Sequence, residues 1–180
     1  MDAEWRADIW QQFGAAIDML DNALVACRDE LWSARLWRDG LRESELSQFW
    51  YVGYHALFWL DLYLSGSVEG FAPPAPFGLE ELDPAGVLPE RPFTKDELKS
   101  YVQHARTKAR AAIEALTDEK ARQRFTFSWG QVSYLELLLY TMRHVQEHAA
   151  QLNLFLGQRV GSAPGWVGKA RTDPIASDLE

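Results

Sequence analysis

Cysteine is nearly absent from this chain of 180 residues, in which Cys27 is the only one. A single cysteine excludes an intramolecular disulfide and any metal cage built from several thiolates. Because Cys27 lies at the end of the apolar stripe of the first predicted helix, we expect a packed, unreactive thiol there rather than a nucleophile.

Clusters of basic residues are also missing. The net charge is -8, the sequence pI is about 5.0, and lysines and arginines never form a run longer than two. Proteins that bind nucleic acids grip the phosphate backbone with patches of lysine and arginine. The composition therefore predicts that nucleic acid is not a partner.

Long hydrophobic runs are the third absence. The longest candidate, residues 52–64, is interrupted by His55 and Asp61, whereas a membrane-spanning helix needs about 18 or more apolar residues. The first five residues, Met1 to Trp5, are acidic where a signal peptide would be basic. We therefore expect a soluble, cytoplasmic protein with no membrane partner.

Hydrophobic residues make up 47% of the chain and there are eight tryptophans, enough for one sizeable core. Helical spacing of apolar residues, together with capping residues, predicts four long helices. The fold class is therefore all-α: a four-helix bundle of up-down-down-up type over residues 1–160, followed by an extended or partly disordered tail at 161–180. The first predicted helix begins after Asp2, and the second runs from about Glu45 to Leu64, after an Asp39-Gly40 turn and a Ser44 cap. The third begins after Thr94, which forms a capping box with Glu97. The fourth runs from Tyr134 to Phe155 and follows a capping box of Ser133 and Glu136.

Two other segments have distinctive compositions. The 27 residues between helices two and three, 67–93, contain six prolines, which predicts a long crossover or a lid rather than a tight turn. Its apolar side chains at Phe71, Phe77, Leu79 and Leu82 indicate that it packs against the bundle. The tail is expected to lie over the surface or over a partner subunit, with Trp166-Val167 as its one apolar anchor.

The fourth helix carries a polar cluster on the side that should face inward. Steps of three and four give a seam in which four consecutive members are polar: Thr141, His144, His148 and Gln151. A buried polar group without a partner costs about 1–3 kcal/mol, so the cluster implies a hydrogen-bond network, water or a metal ion. Two histidines at i and i+4 lie on one helix face and suit one ion.

The second helix supplies a third inward imidazole, because His55 lies on its seam between Tyr51 and Phe58. Four-helix bundles build metal sites from side chains on facing helices. Three histidine ligands leave a coordination position open, as catalytic zinc sites do. We therefore predict that His55, His144 and His148 bind a divalent metal; the alternative is three unrelated core histidines. The remaining histidine, His104, is expected on the surface.

Inward His55, followed on the fourth helix by Arg-His-Val-Gln-Glu-His-Ala-Ala-Gln-Leu-Asn at residues 143–153, resembles the DinB-like superfamily of metal-binding four-helix bundles. The resemblance spans essentially the whole chain. It implies that His55, His144 and His148 match the family's metal triad. It also suggests a transferase or isomerase that uses a low-molecular-weight thiol, since the family includes such enzymes.

The functional hypothesis is an enzyme in which the metal lowers the pKa of a bound water or thiol toward roughly 7. We expect Zn²⁺, with Ni²⁺ or Fe²⁺ as alternatives. The residues themselves do not distinguish thiol transfer from hydrolysis. The competing hypothesis is a non-catalytic bundle, stabilised by metal or binding a small hydrophobic molecule, that forms a homodimer through its aromatic-rich surface.

The neighbours of the triad leave several alternatives open. Tyr51, Thr141 and Gln151 either accept a ring N–H from a ligand histidine or are ordinary core polar groups. Glu147 is either a flanking residue of the site or a solvated surface carboxylate. The string His-Val-Gln-Glu-His at 144–148 also matches proteases in which the glutamate activates water. That interpretation is disfavoured because it needs a third ligand downstream, where the acids lie only in the tail: Asp173, Asp178 and Glu180.

Overall fold

The computed structural model describes residues 1–37 and 45–172, and it confirms an all-α protein. Among these residues no helix has both the length and the apolar character needed to cross a membrane. The elements are α1 (Ala3–Ala26), α2 (Phe49–Ser65), α3 (Lys95–Glu114), a short α4 (Asp118–Arg122), a hairpin of β1 (Arg124–Phe127) and β2 (Gly130–Ser133), and α5 (Tyr134–Val160).

The four long helices form the predicted bundle. Helix α1 packs beside α3 and α5, and α2 packs beside the same two helices, so α1 and α2 lie across a diagonal. Helix α2 runs antiparallel to α5 and parallel to α3, and α3 runs antiparallel to α1, which gives the up-down-down-up order. The direction of α2 relative to α5 follows from the contacts His55–His144 and Leu64–Tyr134. Its direction relative to α3 follows from Gly53–Leu98 and Ser65–Lys108. The direction of α1 relative to α3 follows from Asp18–Arg106 and Arg6–Leu116.

Capping residues begin the helices where the sequence predicted. The Asp2 side chain accepts a hydrogen bond from the Trp5 backbone N–H, and both predicted capping boxes, at Thr94 and at Ser133, are formed. Each such cap contributes about 1 kcal/mol to helix stability. The predicted Asp39-Gly40 turn and Ser44 cap lie outside the described residues. Helix α2 begins at Phe49, after a 3-10 turn at Glu45–Ser47.

A buried ionic cluster joins α2 to α3. The Asp61 carboxylate is fully buried and accepts hydrogen bonds from the Lys108 ammonium and the Tyr101 hydroxyl. His104 is exposed, as predicted, but its Nε2 lies 3.4 Å from Asp61 Oδ1. A buried charge is tolerated only when it is paired and hydrogen-bonded, so this cluster ties the two helices together.

The proline-rich connection packs along α2, as its apolar residues predicted. Phe71 meets Phe58 edge-on, and Phe77 stacks on Tyr101 with 4.3 Å between ring centroids. Leu79 is the exception, since 48% of its surface is exposed. These contacts bring the next turn of the connection, a 3-10 helix at Glu80–Leu82, to the middle of α2.

The segment before α5 is richer in structure than predicted. Residues 124–130 form the first strand and turn of an antiparallel hairpin that pairs Arg124 with Ser133. Helix α4 was not predicted. It is a single capped turn, too short to produce a periodic apolar pattern.

Beyond α5, the described part of the C-terminal segment lies against α1. The Ala170 N–H donates to the Gln11 carbonyl at 2.9 Å, and Arg171 forms ion pairs with Asp18 and Asp21. Of the predicted anchor Trp166-Val167, Val167 is partly buried against the core, whereas Trp166 is not part of the contact, because 75% of its surface is exposed. The small Ala170 side chain instead packs beside Gly14 of α1.

Candidate metal centre

The three histidines predicted as ligands lie together in the cleft between α2 and α5. His55 stands near the middle of α2, and His144 and His148 are one turn apart on the facing side of α5. His144 Nε2 is 3.3 Å from His55 Nε2 and 3.0 Å from His148 Nε2. The rings therefore converge on one point and do not serve three separate parts of the core.

This spacing suits a metal ion. Zinc–nitrogen bonds of about 2.0–2.1 Å in a tetrahedral arrangement place ligand nitrogens about 3.3–3.4 Å apart. One nitrogen of each ring lies within 4.8 Å of the corresponding nitrogens of the other two. The separations of His144 Nε2 from the other two Nε2 atoms, 3.0 and 3.3 Å, differ from the tetrahedral value by only a few tenths of an ångström.

Hydrogen bonds at the other ring nitrogens orient two of the three imidazoles. His55 Nδ1 donates to Glu81 Oε2 at 2.7 Å, and His148 Nδ1 donates to Gln151 Oε1 at 2.8 Å. A carboxylate and an amide oxygen only accept, so in the neutral rings the protons reside on Nδ1. The Nε2 lone pairs of both rings then face the common centre, as metal ligation requires.

Comparison with known protein families agrees with this architecture. The model of the DinB superfamily matches residues 5–152, a range that contains all three histidines and Glu81. The chain belongs to the DinB superfamily. Comparison with curated proteins gave no match.

Electrostatics keep the paired histidines of this DinB-superfamily protein neutral. Burial, reinforced by the neighbouring His148 and His55, lowers the pKa of His144 to about 3. Burial and His55 also lower the pKa of His148. Both imidazoles are therefore uncharged at neutral pH, and each has a lone pair available for an ion. His144 Nδ1 is buried, and no other described residue gives it a hydrogen bond.

Glu81 is the site residue that the sequence did not identify. Its side chain is only 5% exposed, and its Oε2 accepts hydrogen bonds from both His55 Nδ1 and Trp59 Nε1. Burial opposes its ionisation, but His55, Tyr51 and Trp59 outweigh that effect and lower the pKa of Glu81. Glu81 lies in the aperiodic connection, where no spacing rule indicates which acid points inward.

The other predicted neighbours have different roles. Gln151 accepts a hydrogen bond from the His148 ring, as one alternative proposed, whereas Thr141 Oγ1 donates to the Leu137 carbonyl within α5 at 2.7 Å. Tyr51 lies beside Glu81. Burial, reinforced by the neighbouring Glu81, raises the pKa of the Tyr51 hydroxyl. Glu147 is exposed on the outer side of α5, which favours the interpretation as a solvated surface carboxylate.

A pocket adjoins the histidines on the side of the connection. It has a volume of about 340 Å³ and includes His55 and His148 in its wall. Because the pocket reaches two of the three imidazoles, a small molecule bound there would contact the candidate centre. The remaining lining residues are Trp37, Leu46, Tyr51, Val52, Glu80, Glu81, Asp83 and Gly86.

Proposed function

We propose that this DinB-superfamily protein is a metal-dependent enzyme in which His55, His144 and His148 hold one divalent ion. The observation that carries the proposal is the convergence of three Nε2 atoms at separations that fit zinc. The ion that we propose is Zn²⁺, and Ni²⁺ or Fe²⁺, which imidazole also suits, are the alternatives. Three protein ligands leave one position open for a substrate.

The residues around the triad would prepare the site for chemistry. When bound, the divalent ion would supply Lewis-acid chemistry, lowering the pKa of a coordinated water or thiol toward roughly 7. Glu81 and Gln151 hold His55 and His148 in the orientation and tautomer that ligation needs. The pocket beside His55 and His148 would place the substrate next to that centre.

The reaction that we propose is the transfer of a chemical group to or from the sulfur of a low-molecular-weight thiol. Hydrolysis is the alternative reaction for the same site. Membership of the DinB superfamily supports the thiol, because the family includes thiol-dependent transferases. The ion held by His55, His144 and His148 would favour the thiolate form of a thiol substrate, whose carbon skeleton would occupy the pocket. The competing proposal is a non-catalytic bundle that binds metal for stability alone.

A homodimer is part of the same proposal. Its support is a set of exposed aromatic side chains, which are enriched at protein interfaces. Sedimentation velocity at several protein concentrations measures the oligomeric state, and a monomer at every concentration would remove the dimer from the proposal. The exposed tryptophans of the described chain include Trp5, Trp37, Trp129 and Trp166.

Cobalt substitution tests the thiol reaction. The protein is loaded with Co²⁺ and titrated with cysteine, glutathione and 2-mercaptoethanol while the visible and near-ultraviolet spectra are recorded. We expect at least one thiol to produce a sulfur-to-cobalt charge-transfer band, and a His55→Ala variant to lack it. Stoichiometric cobalt with no spectral response to any thiol would favour hydrolysis or the non-catalytic bundle.

Replacing Glu81 tests the positioning of His55. Glu81→Gln keeps the shape of the side chain but removes its charge, so the hydrogen bond to His55 Nδ1 becomes weaker. We expect zinc affinity to fall by about tenfold, the lower end of the effect of losing such outer partners. Competition with a chromophoric chelator at fixed pH measures this. Glu90→Gln, an exposed position on the same connection, is the matched control; equal affinities for both variants would contradict the role of Glu81.

The metal-free protein should become less stable on acidification because of His144. Its pKa is about 3 in the folded protein and about 6.5 when unfolded, so the unfolded chain binds more protons between these values. The contribution of His144 to the free energy of unfolding is fully present above pH 6.5. It is lost as the pH falls toward 3, by at most about 1.4 kcal/mol per pH unit. Urea unfolding at several pH values measures the free energy of unfolding as a function of pH. This free energy should fall less steeply with acidification in His144→Gln than in the unmodified protein. Parallel pH dependences for the two proteins would contradict the prediction.

A further inference from the structure

The ring of His144 differs from the other two imidazoles in its outer nitrogen. His55 Nδ1 donates to Glu81, and His148 Nδ1 donates to Gln151. His144 Nδ1 is buried, and nothing in the described part of the chain forms a hydrogen bond with it. An acceptor therefore fixes the proton of the other two rings on Nδ1, whereas the proton of His144 has no acceptor on that side.

The inner nitrogens of the three rings lie at hydrogen-bonding distances from one another. His144 Nε2 is 3.0 Å from His148 Nε2 and 3.3 Å from His55 Nε2. A neutral imidazole carries one proton, so both of these neighbours present a lone pair at Nε2. A hydrogen bond between two such nitrogens needs one donor, and His144 is the only ring of the three that can supply it.

The other position for the His144 proton is unfavourable on both sides of the ring. With its proton on Nδ1, the ring would bury an N–H group that has no acceptor among the described residues, and an unmade buried hydrogen bond is costly. Three Nε2 lone pairs would also face one another without a proton or a cation between them. Both effects favour a proton on Nε2 in the metal-free protein, directed mainly at His148, the nearer acceptor.

Metal binding requires the opposite arrangement, because an ion held by all three rings needs the Nε2 lone pair of His144. The Nε2 proton must then pass to water, and Nδ1 must take one proton from water. The ring is neutral before and after, so no net proton is released. His55 and His148 need no such change, since their Nε2 lone pairs already face the centre.

We propose that His144 is a tautomer switch within the metal centre. In the metal-free protein its Nε2–H closes the centre through a hydrogen bond to His148, and Gln151 sets this direction by holding the His148 proton on Nδ1. In the metal-bound protein the His144 proton resides on Nδ1. The metal-bound half of this inference rests on the proposed function, and the metal-free half rests only on the contacts of the three rings.

Long-range proton–nitrogen correlation spectra of protein with isotope-labelled histidine test the proposal, because they show which ring nitrogen carries the proton. The spectra are recorded at about pH 8, above the ordinary imidazole pKa of about 6.5, so that the rings are neutral. Ring signals are connected through bonds to assigned backbone signals. Zinc is then added in equimolar amount and the spectra are repeated. The exposed His104 provides a reference ring outside the centre.

In the metal-free protein we expect the Nε2–H tautomer of His144 to exceed the Nδ1–H tautomer by about tenfold or more, the effect of one unmade buried hydrogen bond. Zinc should reverse this ratio, while His55 and His148 keep their protons on Nδ1 in both states.

A variant of Gln151 tests what sets the direction of the hydrogen bond. Gln151→Leu removes the acceptor of His148 Nδ1, so His148 should share the role of donor. The excess of the Nε2–H tautomer at His144 should then fall by about tenfold. Gln158→Leu, the same change at an exposed position of α5, should leave the excess unaltered.

The outcomes separate this inference from the proposed function. A metal-free protein with the His144 proton on Nδ1, or equal tautomer ratios in Gln151→Leu and Gln158→Leu, would overturn the switch. Bound zinc with His144 still protonated on Nε2 would overturn it as well. An Nε2–H tautomer in a protein that fails to bind zinc supports the metal-free half and contradicts the proposed function. Zinc bound by three rings, when His144 already carries Nδ1–H without zinc, does the reverse.

Discussion

Replacing His144 with alanine is expected to weaken zinc binding by about a thousandfold or more. His144 Nε2 lies within 3.3 Å of the Nε2 atoms of His55 and His148, so its loss would leave the proposed centre with two ligands. Loss of a residue that only hydrogen-bonds to a metal ligand costs about 10–100-fold in metal affinity, and loss of the ligand itself must cost more. Chelator competition and the metal content of protein purified without chelator both measure the change.

The control for this prediction is His104→Ala, which removes the exposed histidine that lies outside the triad. Its zinc affinity should equal that of the unmodified protein. His144→Gln provides a second variant that retains a polar side chain if alanine disturbs folding, and circular dichroism verifies that both variants are helical. A His144→Ala protein that keeps a full complement of zinc would contradict the proposed ligand set.

A Lys108→Met substitution should produce the largest loss of stability. Lys108 Nζ donates to the fully buried Asp61 carboxylate and to Ser65 Oγ. Methionine retains the apolar stem but leaves the Asp61 charge without its cation, and breaking a buried pair on one side costs about 3–5 kcal/mol. Because Lys108 is 31% exposed, we expect the lower value, about 3 kcal/mol. Urea unfolding of the metal-free protein measures it.

Lys99→Met is the matched control, because Lys99 is exposed on the same helix. Such surface changes alter the free energy of unfolding by about 0.5 kcal/mol or less. A double variant, Asp61→Leu with Lys108→Met, should recover much of the loss, since buried ion pairs are often replaceable by apolar residues. Equal unfolding free energies for Lys108→Met and Lys99→Met would show that the Asp61 cluster does not hold α2 to α3.

The parts of the fold that follow local rules could be predicted from the sequence. Capping boxes are set by residues three apart, so the starts of α3 and α5 followed from Thr94 and Ser133. Helical periodicity placed His144 and His148 on the same face of α5 as Thr141. Buried polar groups without partners cost free energy. The polar seam of α5 therefore predicted that His144 and His148 would meet His55, the inward imidazole of α2.

Other features depend on tertiary packing and could not be predicted. Glu81 approaches His55 only because Phe71 and Phe77 anchor the connection against α2 and α3. Nothing in the local sequence separates Glu81 from Glu80 or Asp83. The tail shows the same limit, because hydrophobicity alone did not indicate that Trp166 would be exposed while the small Ala170 packs beside Gly14.

X-ray absorption spectroscopy of the zinc-loaded protein tests the central claim most directly, with stoichiometry measured on the same sample. We expect one zinc per chain, with nitrogen neighbours at about 2.0 Å and the outer-shell scattering of three imidazoles. The His144→Ala protein, treated identically, should lose this signal. A spectrum without imidazole scattering, or a protein that binds no stoichiometric metal, would contradict a centre built from His55, His144 and His148.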